Sequence, residues 1–212
     1  MGAAVRADQS ALPAGLLHSG DLAGPQERRR GGLAGAGTPG SRCMSTSPEH
    51  FILFRDLPLM YGRVPKVANS SIKVALCKLL SNRPEEGLRK SADRFWRENT
   101  HGETTLVTPE QARDLRRSHF SFSFVRNPFD RLVAAYNNKL IEIQEVPQPM
   151  QRMGLFHGMA FEQFIACLGS IEPELMDNHV RPQADLLFCE NALVPKFVGR
   201  MEHMRSHWRK LR

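Results

Sequence analysis

The chain has 212 residues, 41% of them hydrophobic and 24% charged, with a formal net charge of +7. That length suits one globular domain with a tail to spare, while an ordinary apolar fraction and the lack of any run of roughly 18–20 uncharged apolar residues exclude a wholly disordered chain and a membrane bundle, so a soluble protein is expected. An isoelectric point near 9.6 favours anionic partners without choosing among nucleic acid, phosphorylated cofactors, sulfated or uronic glycans and acidic lipid.

Residues 1–43 are rich in Gly, Ala, Pro, Ser and Arg and hold no aromatic residue and no helical or strand period. Such a segment cannot bury enough apolar surface to offset its chain entropy and is predicted to be a disordered Gly/Ala/Arg-rich tail. Its longest apolar run, Ala11–Leu17, is short and broken by Pro13, unlike a secretory signal. A transit peptide would fit the arginines but not the three acids, and Met44, where the composition changes, is an alternative start. The folded domain is expected over residues 44–212.

Phe51–Phe54 and Leu59–Pro65 are short apolar runs ended by Gly and Pro, as in a buried strand. The small polar stretch Lys66-Val67-Ala68-Asn69-Ser70-Ser71 follows. Ile72, Ala75, Leu76, Leu79 and Leu80 then share one helical face, with Ser70 or Ser71 as the natural N-cap. Residues 81–105 read as polar and irregular. Thr108-Pro109-Glu110-Gln111 predicts a helix start, running to about Arg117. Phe120–Val125 alternates like a strand, and Asp130–Leu140 has helical spacing until Val146-Pro147-Gln148-Pro149 breaks it. Phe161–Leu168 reads as a helix, Leu186–Phe188 and Lys196–Val198 as short strands, and Glu202 onward as a basic helix. Strands alternating with helices predict an α/β domain with a mainly parallel central sheet flanked by helices.

Two stretches carry chemistry. Val64-Pro65-Lys66-Val67-Ala68-Asn69-Ser70-Ser71 lies between a strand and a helix, where free N–H groups, two hydroxyls and a lysine suit a dianionic phosphate. The Walker pattern G-x-x-x-x-G-K-[ST] is absent, because the lysine precedes the turn. The plainer reading is a well-capped helix beside a surface lysine. In Phe124-Val125-Arg126-Asn127-Pro128-Phe129-Asp130-Arg131-Leu132, Arg126 at a strand end and Arg131 near a helix start can form a second anion pocket. The plainer reading there pairs Arg131 with Asp130 or Glu142 on a solvated helix face.

Taken together, the first stretch resembles the 5′-phosphosulfate loop V-P-K-x-A-x-[ST]-[ST] of the carbohydrate sulfotransferases, and the second resembles their 3′-phosphate motif. The similarity is closest to the branch of HNK-1-type and chondroitin sulfotransferases and their bacterial relatives. His179-Val180-Arg181-Pro182-Gln183 resembles that branch's H-W-x-P-Q, and Phe197-Val198-Gly199-Arg200-Met201-Glu202 its F-[IV]-G-[RK]-x-E; the resemblance spans roughly residues 51–204. It implies a P-loop-like three-layer α/β fold, 3′-phosphoadenosine 5′-phosphosulfate as donor, and sulfuryl transfer to a hydroxyl of a carbohydrate or other acceptor. By position, Lys66, Ser70 and Ser71, with the N–H groups of Ala68 and Asn69, would hold the 5′-phosphosulfate. Arg126, with Arg131, would hold the 3′-phosphate, and no metal is implied.

Three residues or boundaries depart from the family pattern. The expected serine eight residues after Arg126 is Ala134, the tryptophan after His179 is Val180, and the chain stops just after Trp208-Arg209-Lys210-Leu211-Arg212, where relatives continue. A catalytically impaired nucleotide-binding homologue, shortened at its C-terminus, is therefore the alternative function. For the general base, His101 is taken as the candidate from its loop position, with Glu103 next, His119 as a strand-edge residue, and His179 as a residue that shapes the cleft. His203 and His207 lie four apart, but no third metal ligand accompanies them. Cys43, Cys77, Cys167 and Cys189 form no C-x-x-C pair and read as reduced structural thiols. A nucleic-acid binder, motivated by charge, and a P-loop kinase are further readings; neither partner is expected. A cytoplasmic location is expected, or a Golgi origin if the chain is a fragment lacking its membrane anchor.

Overall fold

The computed structural model describes residues 49–211. The tail expected over residues 1–43 and the start of the domain at residue 44 lie outside the described residues. Seven strands are described: β1 (Phe51–Phe54), β2 (Leu59–Gly62), β3 (Thr104–Val107), β4 (Phe120–Val125), β5 (Phe188–Cys189), β6 (Ala192–Leu193) and β7 (Phe197–Arg200). The helices are α1 (Asn69–Leu76), α2 (Asp93–Glu98), α3 (Pro109–Asp114), α4 (Pro128–Tyr136), α5 (Gln148–Arg152), α6 (Phe161–Gly169), α7 (Gln183–Leu187) and α8 (Met204–Arg209).

The central sheet has the order β3-β1-β2-β4-β7. β2, β4 and β7 pair in parallel, whereas β1 runs against both β2 and β3. Four of its five strands therefore point the same way, and only β1 opposes them. The α/β domain with a mainly parallel central sheet is as expected, with one departure: the two apolar runs at its start form an antiparallel hairpin, and β1 also pairs antiparallel with β3.

Alternating side chains send Ile52, Phe54, Tyr61, Phe122 and Phe124 into one core with Ile72 and Leu76 of α1 and with Phe95 and Trp96 of α2. Phe51, Met60 and Val107 form a second core with Ala112 of α3 and Cys189. A third cluster joins Ala135 and Leu140 to Met150, Phe164 and Val180. The Ser121 and Ser123 side chains, which alternation alone would turn to solvent, are fully buried because the second face of the sheet is covered as well, by the cluster around Ala112, Cys189 and Val194. Their hydroxyls donate to Val194 O (3.2 Å) and Gly62 O (2.8 Å), so neither polar group is stranded. Gly199 of β7 is required by close approach: a Cβ there would lie 2.3 Å from the buried Phe124 ring.

Several local expectations hold. Thr108 caps α3 through a reciprocal box with Gln111, Pro109 opens that helix, and α6 and β4 lie where their periods placed them. Others are corrected. The serines do not cap α1; Ala68 does so in a left-handed conformation with no side-chain bond. The 81–105 stretch contains α2, whose six residues bury only Phe95 and Trp96, too short a run to show a period. Leu186 and Leu187 end α7 instead of forming a strand, and Phe188–Cys189 pairs only with Ala192–Leu193. Cys77, Cys167 and Cys189 are free thiols, and Cys43 lies outside the described residues.

α2 is tied to the sheet by charge. Lys73 of α1, whose side chain is 1% exposed, and Arg63, just after β2, both pair with Asp93. Lys73 Nζ also donates to Ser91 O at 3.0 Å. Burial pushes the Asp93 carboxyl up, but Arg63 and Lys73 overcome it and hold it at about 2. Because that pKa is depressed, the stabilisation is complete above the ordinary carboxylate range and is lost as pH falls towards 2. Asp93→Ala leaves two buried cations sharing no anion. It is expected to destabilise the fold by about 2–3 kcal/mol in denaturant titration, below the usual range for a broken buried pair because Asp93 is half exposed. Lys73→Met, which removes a cation and keeps the packing volume, is expected to cost less than half of that.

Candidate functional site

The parallel strands point their C-terminal ends at an open cleft of about 590 Å³. Ligand sites of open α/β sheets lie at this edge, where helices that follow strands present their N-termini. Arg63, Lys66, Lys73, Arg89, Arg126 and Lys139 line the cleft against two carboxylates, Asp93 and Asp177. Two of those cations already share Asp93, so the surplus positive charge faces the open space.

One wall is the turn between β2 and α1. Val64 and Val67 are fully buried and anchor it, while Lys66 (φ 67°) and Ala68 (φ 61°) adopt left-handed backbone without being glycine. Such residues carry strain of order 1–2 kcal/mol each and persist where the surroundings over-determine them. The two reversals carry the chain into α1 with no side chain capping its first turn. The Asn69 side chain is occupied: its Oδ1 accepts from the buried Tyr61 hydroxyl at 3.0 Å. Lys66, half-buried, donates to Asn138 Oδ1. Burial, with the charge of Lys139, lowers its pKa to about 8, partly offset by Glu142.

The opposite wall begins where β4 ends. Arg126 lines the cleft, and its Nη1 reaches Lys66 O at 3.5 Å. Its backbone is held by a reciprocal pair, Arg126 N donating to Gln183 Oε1 (3.0 Å) and Gln183 Nε2 donating to Arg126 O (2.8 Å). Asn127 caps α4 through bonds from Phe129 N (3.0 Å) and Asp130 N (3.4 Å), while its own N–H donates to Glu202. The His179–Gln183 and Phe197–Glu202 stretches thus brace the arginine turn from two sides.

The structure brings Lys66, Ala68, Asn69, Ser70 and Arg126 together along the cleft, with Ala134 beside them. Ser71 is exposed in the first turn of α1 and does not line it. Arg131 departs from its expected role. It is 4% exposed and spends its guanidinium on three carbonyls: Nε to Pro65 (2.9 Å), Nη1 to Arg181 (2.8 Å) and Nη2 to Asn178 (2.7 Å). Burial lowers it to about 10 despite the nearby Asp177 charge. It is placed as a clamp between three carbonyls and does not line the cleft.

His101 is also corrected. It sits exposed on left-handed backbone (φ 50°) in the turn before β3, away from the cleft lining. Glu103 is a loop anchor, accepting from Ser81 N (2.6 Å), Asn82 N (2.8 Å) and Asn82 Nδ2 (2.9 Å). His207 Nδ1 accepts from Arg200 N at 2.8 Å, and no group of three His, Cys, Asp or Glu residues among the described residues could hold a metal. His50, Lys73, Asp93, Lys139 and Asp177 reach the cleft without having been singled out in the sequence, since each depends on contacts between distant segments.

Residues 49–212 match the model of the sulfotransferase family. The chain is 29% identical over 173 residues to carbohydrate sulfotransferase 14 of both Mus musculus and Homo sapiens, covering 74% of this chain and 44% of each relative. It is 28% identical over 176 residues to the Danio rerio protein of the same name, 74% and 46% respectively. The chain thus spans less than half the length of these curated relatives. No solved structure matches it. With the family model matched across the whole described region, the chain belongs to the sulfotransferase family.

Proposed function

We propose that the chain binds 3′-phosphoadenosine 5′-phosphosulfate in this cleft through a P-loop-like turn and transfers the sulfuryl group to a hydroxyl of a carbohydrate. The observation that carries the reading is the meeting of Lys66 and Arg126 at the ends of the adjacent parallel strands β2 and β4, beside the uncapped start of α1. The carbohydrate acceptor rests on the names of the relatives.

The residues fit such a donor. The Ala68–Ser70 turn offers N–H groups and a hydroxyl to the 5′-phosphosulfate, with Ser71 contributing to the helix start behind it. Arg126 offers a fork to the 3′-phosphate. In the transfer, the acceptor oxygen bonds to sulfur as the bond from sulfur to the 5′-phosphate oxygen breaks, and negative charge grows on that leaving oxygen. Lys66 supplies the positive charge there, a contribution larger in the transition state than in the ground state.

The competing reading is an impaired homologue that binds nucleotide only. It is favoured by Ala134, which places a methyl where a hydroxyl would donate to the 3′-phosphate, although Asn138 lines the same cleft. Incubation with sulfate-labelled donor and a panel of desulfated glycosaminoglycans separates the two, since only the enzyme labels a glycan.

Three results are expected. Calorimetric titration with 3′-phosphoadenosine 5′-phosphate should show binding, accompanied near pH 8.5 by net proton uptake. The sign follows from Lys66: its depressed pKa leaves it largely neutral at that pH, and a phosphate favours the protonated ammonium. Binding without uptake, measured in buffers of different ionisation enthalpy, would remove Lys66 from contact with the nucleotide. Lys66→Ala should lower kcat by 100-fold or more while weakening nucleotide binding far less; an unchanged kcat would exclude it from the chemistry. Ala134→Ser should tighten the 3′-phosphorylated nucleotide by about 10- to 150-fold, one charge-assisted hydrogen bond, and leave an analogue without that phosphate unaffected.

A further inference from the structure

Sulfuryl transfer to a hydroxyl releases a proton; Lys66, which serves as a cation at the leaving oxygen, and Arg126, which stays protonated, do not take it. Among the described residues lining the cleft, His50, Asp93, Asp177 and His179 are the groups whose chemistry allows a base. His50 is 2% exposed, too enclosed to meet an acceptor hydroxyl. Asp93 is committed to Arg63 and Lys73. Asp177 and His179 form a pair of another kind.

Asp177 Oδ1 accepts two hydrogen bonds from one residue, the backbone N–H of His179 at 2.9 Å and its ring Nδ1 at 2.7 Å. The first fixes the backbone and the second fixes the ring. An ionised carboxylate can only accept, so Nδ1 carries a proton, and in the neutral ring the lone pair is then on Nε2. The Asp177 side chain is 13% exposed and that of His179 is 29% exposed, an acid held inside and an imidazole left open to the cleft. Burial pushes the Asp177 carboxyl up, but the bonds and charge of His179, with Lys139 nearby, hold it below the usual range and therefore ionised.

The placement of the pair is equally specific. The carbonyl of Asp177 accepts from Val180 N and Arg181 N, both at 2.9 Å, closing the loop into a tight turn. Arg131 then binds that loop at Asn178 O and Arg181 O and, through the same guanidinium, binds Pro65 O, the residue before Lys66. Lys139 influences both Lys66 and Asp177 electrostatically, which puts the two walls within reach of one charge. Besides Asp177, the charged groups sharing the cleft with the imidazole are Arg63, Lys66, Lys73, Arg89, Arg126, Lys139 and Asp93.

Resting on the sulfotransfer reading, we propose that His179 is the general base of the reaction, with Asp177 and Arg131 as the residues that position it. The acceptor hydroxyl gives its proton to His179 Nε2 as its oxygen bonds to sulfur. The sulfur–oxygen bond to the 5′-phosphate breaks, and the electron pair leaves on that phosphate oxygen beside Lys66. The imidazolium that results is stabilised by the ionised Asp177.

The experiment uses the full chain, sulfate-labelled donor and the glycosaminoglycan on which the wild type is most active, with 3′-phosphoadenosine 5′-phosphate binding measured in parallel. His179→Gln is expected to lower kcat by about 100- to 10,000-fold with nucleotide affinity kept within about twofold. It should also remove the fall in kcat/KM on the acid side of the pH profile, which a purely structural role would not do. Asp177→Asn, which accepts at Oδ1 but carries no charge, should lower kcat less and leave KM for the acceptor nearly unchanged. His179→Asn gives a second, smaller replacement with the same expected outcome should the glutamine disturb the fold. Retention of kcat within threefold and of the acid limb in either His179 variant overturns the assignment. Loss of nucleotide binding in a folded His179 variant also overturns it, by making His179 a donor ligand. A wild type that binds no nucleotide, or labels no glycan, overturns the sulfotransfer reading itself and the base assignment with it.

Discussion

The Arg131 guanidinium is 4% exposed and donates to the carbonyls of Pro65, Asn178 and Arg181, segments more than a hundred residues apart in the chain. No carboxylate closes an ion pair with it among the described residues; fixed backbone dipoles and the more distant Asp177 charge hold the cation in place. A lysine ammonium also has three donors, but all on one atom, whereas the planar guanidinium spreads its donors over three nitrogens and so reaches carbonyls that lie farther apart. The relative position of the Lys66 turn and the His179 loop follows from this one side chain. A cleft assembled from loops gains through it the rigidity that strands usually supply.

The other braces follow the same pattern of polar groups used to hold backbone. Gln183 returns two hydrogen bonds to Arg126, and Glu202 accepts from Asn127, so the turn after β4 is gripped from α7 and from the segment after β7. Gly199 lets β7 come close enough to the Phe124 ring for that grip to form. Residues that resemble a ligand set in the sequence thus divide into two kinds. Lys66 and Arg126 face the open space, while Arg131, Gln183 and Glu202 keep them there.

Electrostatics sets the character of the cleft. Lys66 and Lys139 repel one another, Arg63 and Lys73 share a single half-exposed carboxylate, and left-handed backbone at Lys66 and Ala68 stores strain at the same point. An anion seated between Lys66 and Arg126 would relieve the charge imbalance.

Local features were legible in the sequence because their causes are local. The Thr108 box, Pro109, the alternation of β4 and the stripe of α6 depend on residues three or four apart, and the Lys66 turn and Arg126 declared themselves through short motifs between a strand and a helix. α2 was hidden because its evidence is only Phe95 and Trp96, which matter once β1 and β3 supply a surface to cover. Arg131 and His179 could be named but not understood, Asp177 was not singled out at all, and His101 was favoured for its loop although it does not line the cleft. Whether an arginine meets a phosphate or three carbonyls depends on chain segments brought together from 47 to 66 residues away, whereas His179 meets a carboxylate two residues earlier and needs the fold only to bring that pair to the cleft. Sequence determined which side chains could bind an anion; tertiary packing decided which of them were left free to do so.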